Sequence, residues 1–160
     1  MDNKTLVAYF SASGVTDRLA KTLAKALKAD LHQIIPEKPY TAADLDWMDK
    51  NSRSTLEMAD KSSRPKIANK VENMDGYDVI FVGFPIWWYV APTIINTFLE
   101  SYDLSGKTIV PFATSGGSGM GRTNDFLKPS VKDSRLLAGK VFSCKTAEET
   151  LETWAKSLEL

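Results

Sequence analysis

Three apolar runs constrain this chain more than anything else in it: Leu6 to Phe10 (LVAYF), Val79 to Phe84 (VIFVGF) and Thr108 to Ala113 (TIVPFA). Each is short and continuous, the pattern of a strand covered on both faces. Such strands belong in a parallel sheet, and a parallel sheet needs crossovers, usually helices, to bring the chain back. Helical patterns lie between and after the runs. Leu19, Leu23, Ala26 and Leu27 share one face of residues 15–28, and Ile94, Ile95, Phe98 and Leu99 do the same after Pro92. Leu151, Trp154, Ala155 and Leu158 repeat the spacing over 147–158, with Thr146 as a candidate cap.

Two weaker strands complete the set: LHQII at 31–35, and a short one around 136–142 that Gly139 interrupts. The expectation is an α/β fold, a doubly wound five-stranded parallel sheet in the order 2-1-3-4-5 with helices on both faces. Residues 36–76 are polar and read as an irregular or helical crossover that includes Met48 to Lys61. With 160 residues, 17.7 kDa and no repeat or linker, residues 1–160 read as a single domain.

Composition narrows the function by exclusion. Twenty Lys plus Arg balance twenty Asp plus Glu, so net charge recommends neither nucleic acid nor an anionic membrane surface. Cys144 is the single cysteine and His32 the single histidine, which leaves no internal disulfide and no multi-thiolate or two-histidine metal site; Cys144 reads as a core thiol and His32 as a structural or surface histidine. No metal is expected. No apolar run reaches the roughly 20 residues of a membrane span, and MDNKT lacks the order of a signal peptide. The expected setting is cytoplasmic.

In a parallel sheet, ligands gather outside the C-terminal strand ends where the winding reverses. Three unusual loops lie at such ends. SASGVT (11–16) offers hydroxyls at Ser11, Ser13 and Thr16, close approach at Gly14, and the free N–H groups of a helix start, a combination that fits a phosphate. It contains no Lys or Arg and matches neither GxxxxGK nor GxGxxG, so it suits a terminal monophosphate that stays bound. PIWWYVAP (85–92) sets Trp87, Trp88 and Tyr89 between prolines; three consecutive aromatics cannot all enter one core, so at least one projects where a flat ring could stack. TSGGSGMGR (114–122) carries four glycines, whose ordering needs compensation such as a backbone laid along a ring edge.

Taken together, these loops make the chain resemble the flavodoxin-like family, whose members hold flavin mononucleotide (FMN) in three such loops. By that resemblance Ser11, Ser13, Gly14, Val15 and Thr16 take the phosphate. Pro85, Ile86, Trp87, Trp88 and Tyr89 line one side of the isoalloxazine, and Thr114, Ser115, Gly116, Gly117, Ser118 and Gly119 bond its pyrimidine end. The flavin N5 carries the chemistry, so no side chain is expected to act as a catalyst.

Two redox roles remain open at this stage. Family members that shuttle single electrons between proteins are typically acidic, and their ring loop usually offers a glycine whose peptide turns over toward N5. This chain is neutral, and Tyr89 stands where relatives often show that glycine. The last loop has no aromatic between Thr114 and Gly121, so a second stacking face has to come from the crossover, where Tyr40 and Trp47 are the candidates. The resemblance thus implies an NAD(P)H-dependent two-electron oxidoreductase acting on quinone-like acceptors in the gap between the aromatic loop and residues 40–60. A one-electron carrier and a flavin-free binding module are the alternatives. Arg122 and Lys128 are the cations closest in sequence to the ring loops; a redox substrate or redox protein, and a homodimer mate, are the partners allowed for.

Overall fold

The computed structural model describes residues 4–115, 117–158 and 160. Along the chain run β1 (Thr5–Tyr9), α1 (Val15–Leu27), β2 (Asp30–Gln33), α2 (Arg53–Ala59), β3 (Val79–Pro85) and α3 (Thr93–Glu100). There follow β4 (Thr108–Thr114), α4 (Thr123–Leu127), β5 (Arg135–Leu136), β6 (Lys140–Val141) and α5 (Glu148–Ser157). The sheet order is β2-β1-β3-β4-β5, with β6 also paired to β4, and every pairing is parallel. This is the flavodoxin-like order expected from the sequence.

Strand periodicity divides the core into two layers. Leu6, Ala8 and Phe10 join Ile80, Val82 and Phe84 on the face covered by Ile94, Ile95 and Phe98 of α3. Val7 and Tyr9 join Val79, Phe81, Val110 and Phe112 on the other face, under Leu19 and Leu23 of α1 and Leu151 of α5. Phe10, Phe81, Phe84, Phe98 and Phe112 are all fully buried, each contributing about 1.5–3 kcal/mol by leaving water. Both layers are needed, which is why the strands read as unbroken apolar runs.

Two expectations need correction. The strand anticipated across 136–142 is two short pieces, β5 and β6, on either side of Gly139. Their shared neighbour β4 contains Pro111, which has no N–H for the ladder, and a Cβ at Gly139 would stand 2.6 Å from the Pro111 carbonyl oxygen. The chain steps around that point. Thr146 does not cap α5: the cap position is Ala147 with no side-chain bond, and the Thr146 hydroxyl donates back to the Ser143 carbonyl. The crossover holds one α-helix, α2, capped by Ser52, whose hydroxyl accepts from the Thr55 amide, and ends in a short 3-10 helix, Met74–Gly76. The winding reverses between β1 and β3, so the crevice lies at the ends of those strands, over residues 11–16 and 85–92.

Candidate functional site

A cavity of about 720 Å³ opens at that crevice, within the range of small-molecule sites. Four segments wall it: Ala12 and Ser13 after β1, Pro85 to Tyr89 after β3, Gly117 and Ser118 after β4, and Leu45, Trp47 and Ser54 from the crossover. None of these side chains is charged, and most of the wall is apolar.

The first loop is built around Gly14, whose φ of 89° lies in the left-handed region that glycine occupies without strain. Its amide donates to the Ser11 hydroxyl at 3.0 Å. No side chain caps α1, so the first amides of this 13-residue helix are left for a guest. The acid in its first turn, Asp17, is occupied: the Tyr9 hydroxyl donates to it and Lys21 pairs with it at 2.9 Å. The Tyr9 bond holds the Asp17 carboxyl below its ordinary range, while burial, reinforced by Asp17, pushes the Tyr9 hydroxyl upward. Thr16 is buried, and its hydroxyl shares a 2.8 Å hydrogen bond with that of Thr114. That bond ties the first loop to the end of β4.

The aromatic loop is a tight turn. The Trp87 amide donates to the Val90 carbonyl at 2.9 Å and the Val90 amide to the Trp87 carbonyl at 3.1 Å. Between them Trp88 (φ 48°) and Tyr89 (φ 67°) both take positive φ, which makes the turn type I′. Asn-Gly is the ordinary choice there; two aromatics in left-handed geometry cost roughly 1–2 kcal/mol each. Trp87 turns inward and meets Phe10 and Tyr40 edge to face, at 5.7 and 5.5 Å between centroids. Trp88 and Tyr89 stay exposed at the cavity. Trp87 therefore spans core and cavity wall, while Trp88 and Tyr89 belong to the wall alone.

The last loop is attached to its neighbours. The Ile86 amide donates to the Thr114 carbonyl at 2.8 Å, and Ser115 accepts from the Gly117 amide while donating to the Ser118 carbonyl. Thr114 is buried, Val15 and Gly119 are exposed outside the cavity wall, and Gly116 lies outside the described residues. Arg122 pairs with Asp125 at 3.3 Å, and neither it nor Lys128 lines the cavity. Of the two crossover aromatics, Trp47 lines the cavity; Tyr40 stands behind Trp87 and is not part of the wall.

Ala12, Leu45 and Ser54 are wall residues that the sequence did not single out. Ala12 sits within the first loop and could have been read with it. Leu45 and Ser54 carry no signal, because only the path of the crossover brings them here.

Fold and site define a class: an open parallel-sheet protein with a cavity at its switch point whose walls fit a flat, monophosphorylated ring. The sequence matches the Flavodoxin family over residues 4–158, and the chain belongs to that family. A candidate flavoprotein from Bacteroides eggerthii is 48% identical, covering 99% of each chain, with a TM-score of 0.94. A second, from Bacteroides uniformis, is 47% identical over 98% of this chain and 99% of its own, with a TM-score of 0.88. A flavoprotein from Lactobacillus acidophilus, solved in complex with FMN, shares the fold at 19% identity and a TM-score of 0.74, over 96% of this chain and 99% of that one. None of the curated proteins matches. FMN is the cofactor of this family, and the uncapped α1 start, the aromatic turn and the glycine loop fit its phosphate and ring.

Proposed function

We propose that the protein is an FMN-dependent oxidoreductase that takes two electrons from NAD(P)H and delivers them to a quinone-like acceptor. The nicotinamide gives up a hydride; the acceptor gains that hydride's two electrons and proton together with one proton from solvent, and leaves as the hydroquinone. When bound, FMN supplies the redox chemistry, and the chain binds, orients and controls access. Ser11, Ser13 and Gly14 with the backbone amides of Val15 and Thr16 at the start of α1 hold the phosphate end, Pro85 to Tyr89 one side of the ring, and the backbone of Thr114 to Gly119 its polar edge, the Thr16 and Thr114 hydroxyls being engaged with each other.

One observation carries the reading: the cavity runs between the aromatic turn and a second wall, Leu45, Trp47 and Ser54, contributed by the crossover. A flat, uncharged acceptor fits between such walls. The turn itself supports two-electron chemistry. Turning over the Trp88–Tyr89 peptide converts a type I′ turn into type II′, which calls for glycine at the first central position, and that position is Trp88. The peptide is therefore held in one orientation. Zero net charge also gives no overall attraction toward a basic redox protein.

The test is anaerobic reduction of the FMN-loaded protein, followed by absorbance, alongside NAD(P)H oxidation with and without a quinone. Quinone-dependent NAD(P)H oxidation and reduction without long-wavelength absorbance are expected. A large one-electron signal with no NAD(P)H turnover would establish the shuttle instead, and protein that takes up no FMN would establish the flavin-free module.

A further inference from the structure

Trp47 is 69% exposed, more than any other tryptophan of the chain. Trp87 packs on Phe10 and Tyr40, and Trp154 meets Phe81 and Phe142 edge to face. Trp47 joins neither core layer and pairs with no aromatic ring among the described residues. An indole left in water gains little from folding. Single exposed apolar residues are ordinary on a protein surface, but this one lines the cavity, on the wall across from Trp88 and Tyr89.

Its backbone is fixed nevertheless. The Asp49 amide donates to the Asp46 carbonyl at 3.1 Å, closing a turn with Trp47 at its first corner, and the Met48 amide donates to the Asp46 carboxylate at 3.1 Å. Just before the turn, the Thr41 amide donates to the Asp44 carboxylate at 3.0 Å and the Asp44 amide to the Thr41 hydroxyl at 3.1 Å. The Ser54 amide donates to the Asp44 carbonyl at 2.9 Å and joins this segment to α2. From α2, Arg53 lies 3.8 Å over the ring of Tyr40, which packs against Trp87. The indole is thus presented from a wall tied to the aromatic turn, and little remains to be ordered when a guest arrives.

Which guest is it? An indole on an uncharged wall takes a flat ring by offset stacking. Two flat rings are in question, that of the flavin and that of the acceptor. The flavin ring already has an aromatic side in Pro85 to Tyr89. A second aromatic pressed on its other face would shut out every hydride donor and acceptor, and two-electron exchange needs that face open. The Trp47 indole therefore belongs to the substrate.

We propose that Trp47 stacks on the ring of the quinone acceptor and not on the flavin, and so selects flat aromatic acceptors. This inference rests on the oxidoreductase reading above. It makes cofactor affinity independent of Trp47 and acceptor affinity dependent on it.

Trp47→Ala tests this, with duroquinone as the acceptor and ferricyanide, which has no ring to stack, as the control. The expected result is a roughly three- to tenfold rise in KM for duroquinone, with ferricyanide kinetics, Tm and the FMN Kd of the apoprotein all unchanged. Trp47→Phe, which keeps a flat ring, should bring KM back toward the unsubstituted value. A weakened FMN Kd would make Trp47 a wall of the flavin site and overturn the proposal. A fall in Tm or failure to fold would make it structural and overturn it too, as would an unchanged KM for duroquinone. If the unsubstituted protein binds FMN yet reduces no quinone, the oxidoreductase reading fails by itself. Calorimetric titration of the FMN-loaded proteins with duroquinone then decides the Trp47 contact: weaker binding by Trp47→Ala supports it, and equal binding or none by either overturns it.

Discussion

Gly121 and Tyr89 touch through their backbones: a Cβ built at Gly121 would stand 2.2 Å from the Tyr89 carbonyl oxygen. Gly121 also has φ 56°. The loop after β4 thus braces the aromatic turn after β3, and only glycine satisfies both the space and the backbone angle. Gly121→Ala should displace the turn without disturbing the sheet. FMN binding, followed by quenching of flavin fluorescence, is expected to weaken at least tenfold, which is about 1.4 kcal/mol, while far-ultraviolet circular dichroism stays unchanged.

Strain in that turn makes a second prediction, in two variants. Tyr89 is 70% exposed, so its ring contributes little burial, whereas its φ of 67° is unfavourable. Tyr89→Gly should raise stability by about 1 kcal/mol, or roughly 2–4 °C in Tm for a protein of this size. Trp88→Gly gives the turn its type II′ alternative. Anaerobic reduction of that variant should show more long-wavelength absorbance, the mark of a one-electron step, than the unsubstituted protein does.

The bond between Thr16 and Thr114 can be measured by a double-mutant cycle. Either single change to valine leaves the other hydroxyl buried and unpaired, at a cost of about 1–3 kcal/mol. The double variant replaces both partners with apolar groups of like shape. Its loss in urea unfolding should be clearly smaller than the sum of the two single losses.

Gly83 in the centre of β3 faces the Phe112 ring, and a Cβ there would come 2.2 Å from Phe112 Cζ. Phe112 is fully buried and has nowhere to retreat. Gly83→Ala should therefore destabilise by about 1–3 kcal/mol through overpacking, and pairing it with Phe112→Leu should recover part of the loss. Thermal unfolding of the three proteins checks this.

His32 gives stability a dependence on pH. Burial holds its imidazole below the ordinary 6.5, and its Nε2 has no partner among the described residues. Below about pH 6.5 the unfolded chain binds a proton that the folded protein resists, so His32 lowers stability progressively as pH falls from 6.5 toward its folded value. Above 6.5 its contribution is constant. As the only histidine, His32 can be followed without ambiguity by NMR, and His32→Asn should flatten the profile in that window.

Much of this architecture is legible in residues close together in sequence. The buried strands declare themselves by unbroken apolar runs, since a strand covered on both faces has no position left for polar groups. Glycines and hydroxyls mark the first and last loops, and the aromatic triplet marks the middle one. Which aromatic turns inward is not legible: Trp87 packs against Phe10 and Tyr40 because those rings arrive from elsewhere, and the positive φ of Trp88 and Tyr89 contradicts their local preference. Thr16 reads as a ligand group in the sequence, yet its hydroxyl meets a residue 98 positions away.

The sequence by itself determined the buried strands of the parallel sheet and the three loops that follow them, because hydrophobic period and turn chemistry act over a few residues. Only the tertiary structure decided the second wall of the cavity and the locked turn. Those depend on where a long polar crossover settles, and that is fixed by packing and ion pairs between distant segments, such as Arg53 on Tyr40 and Tyr40 on Trp87.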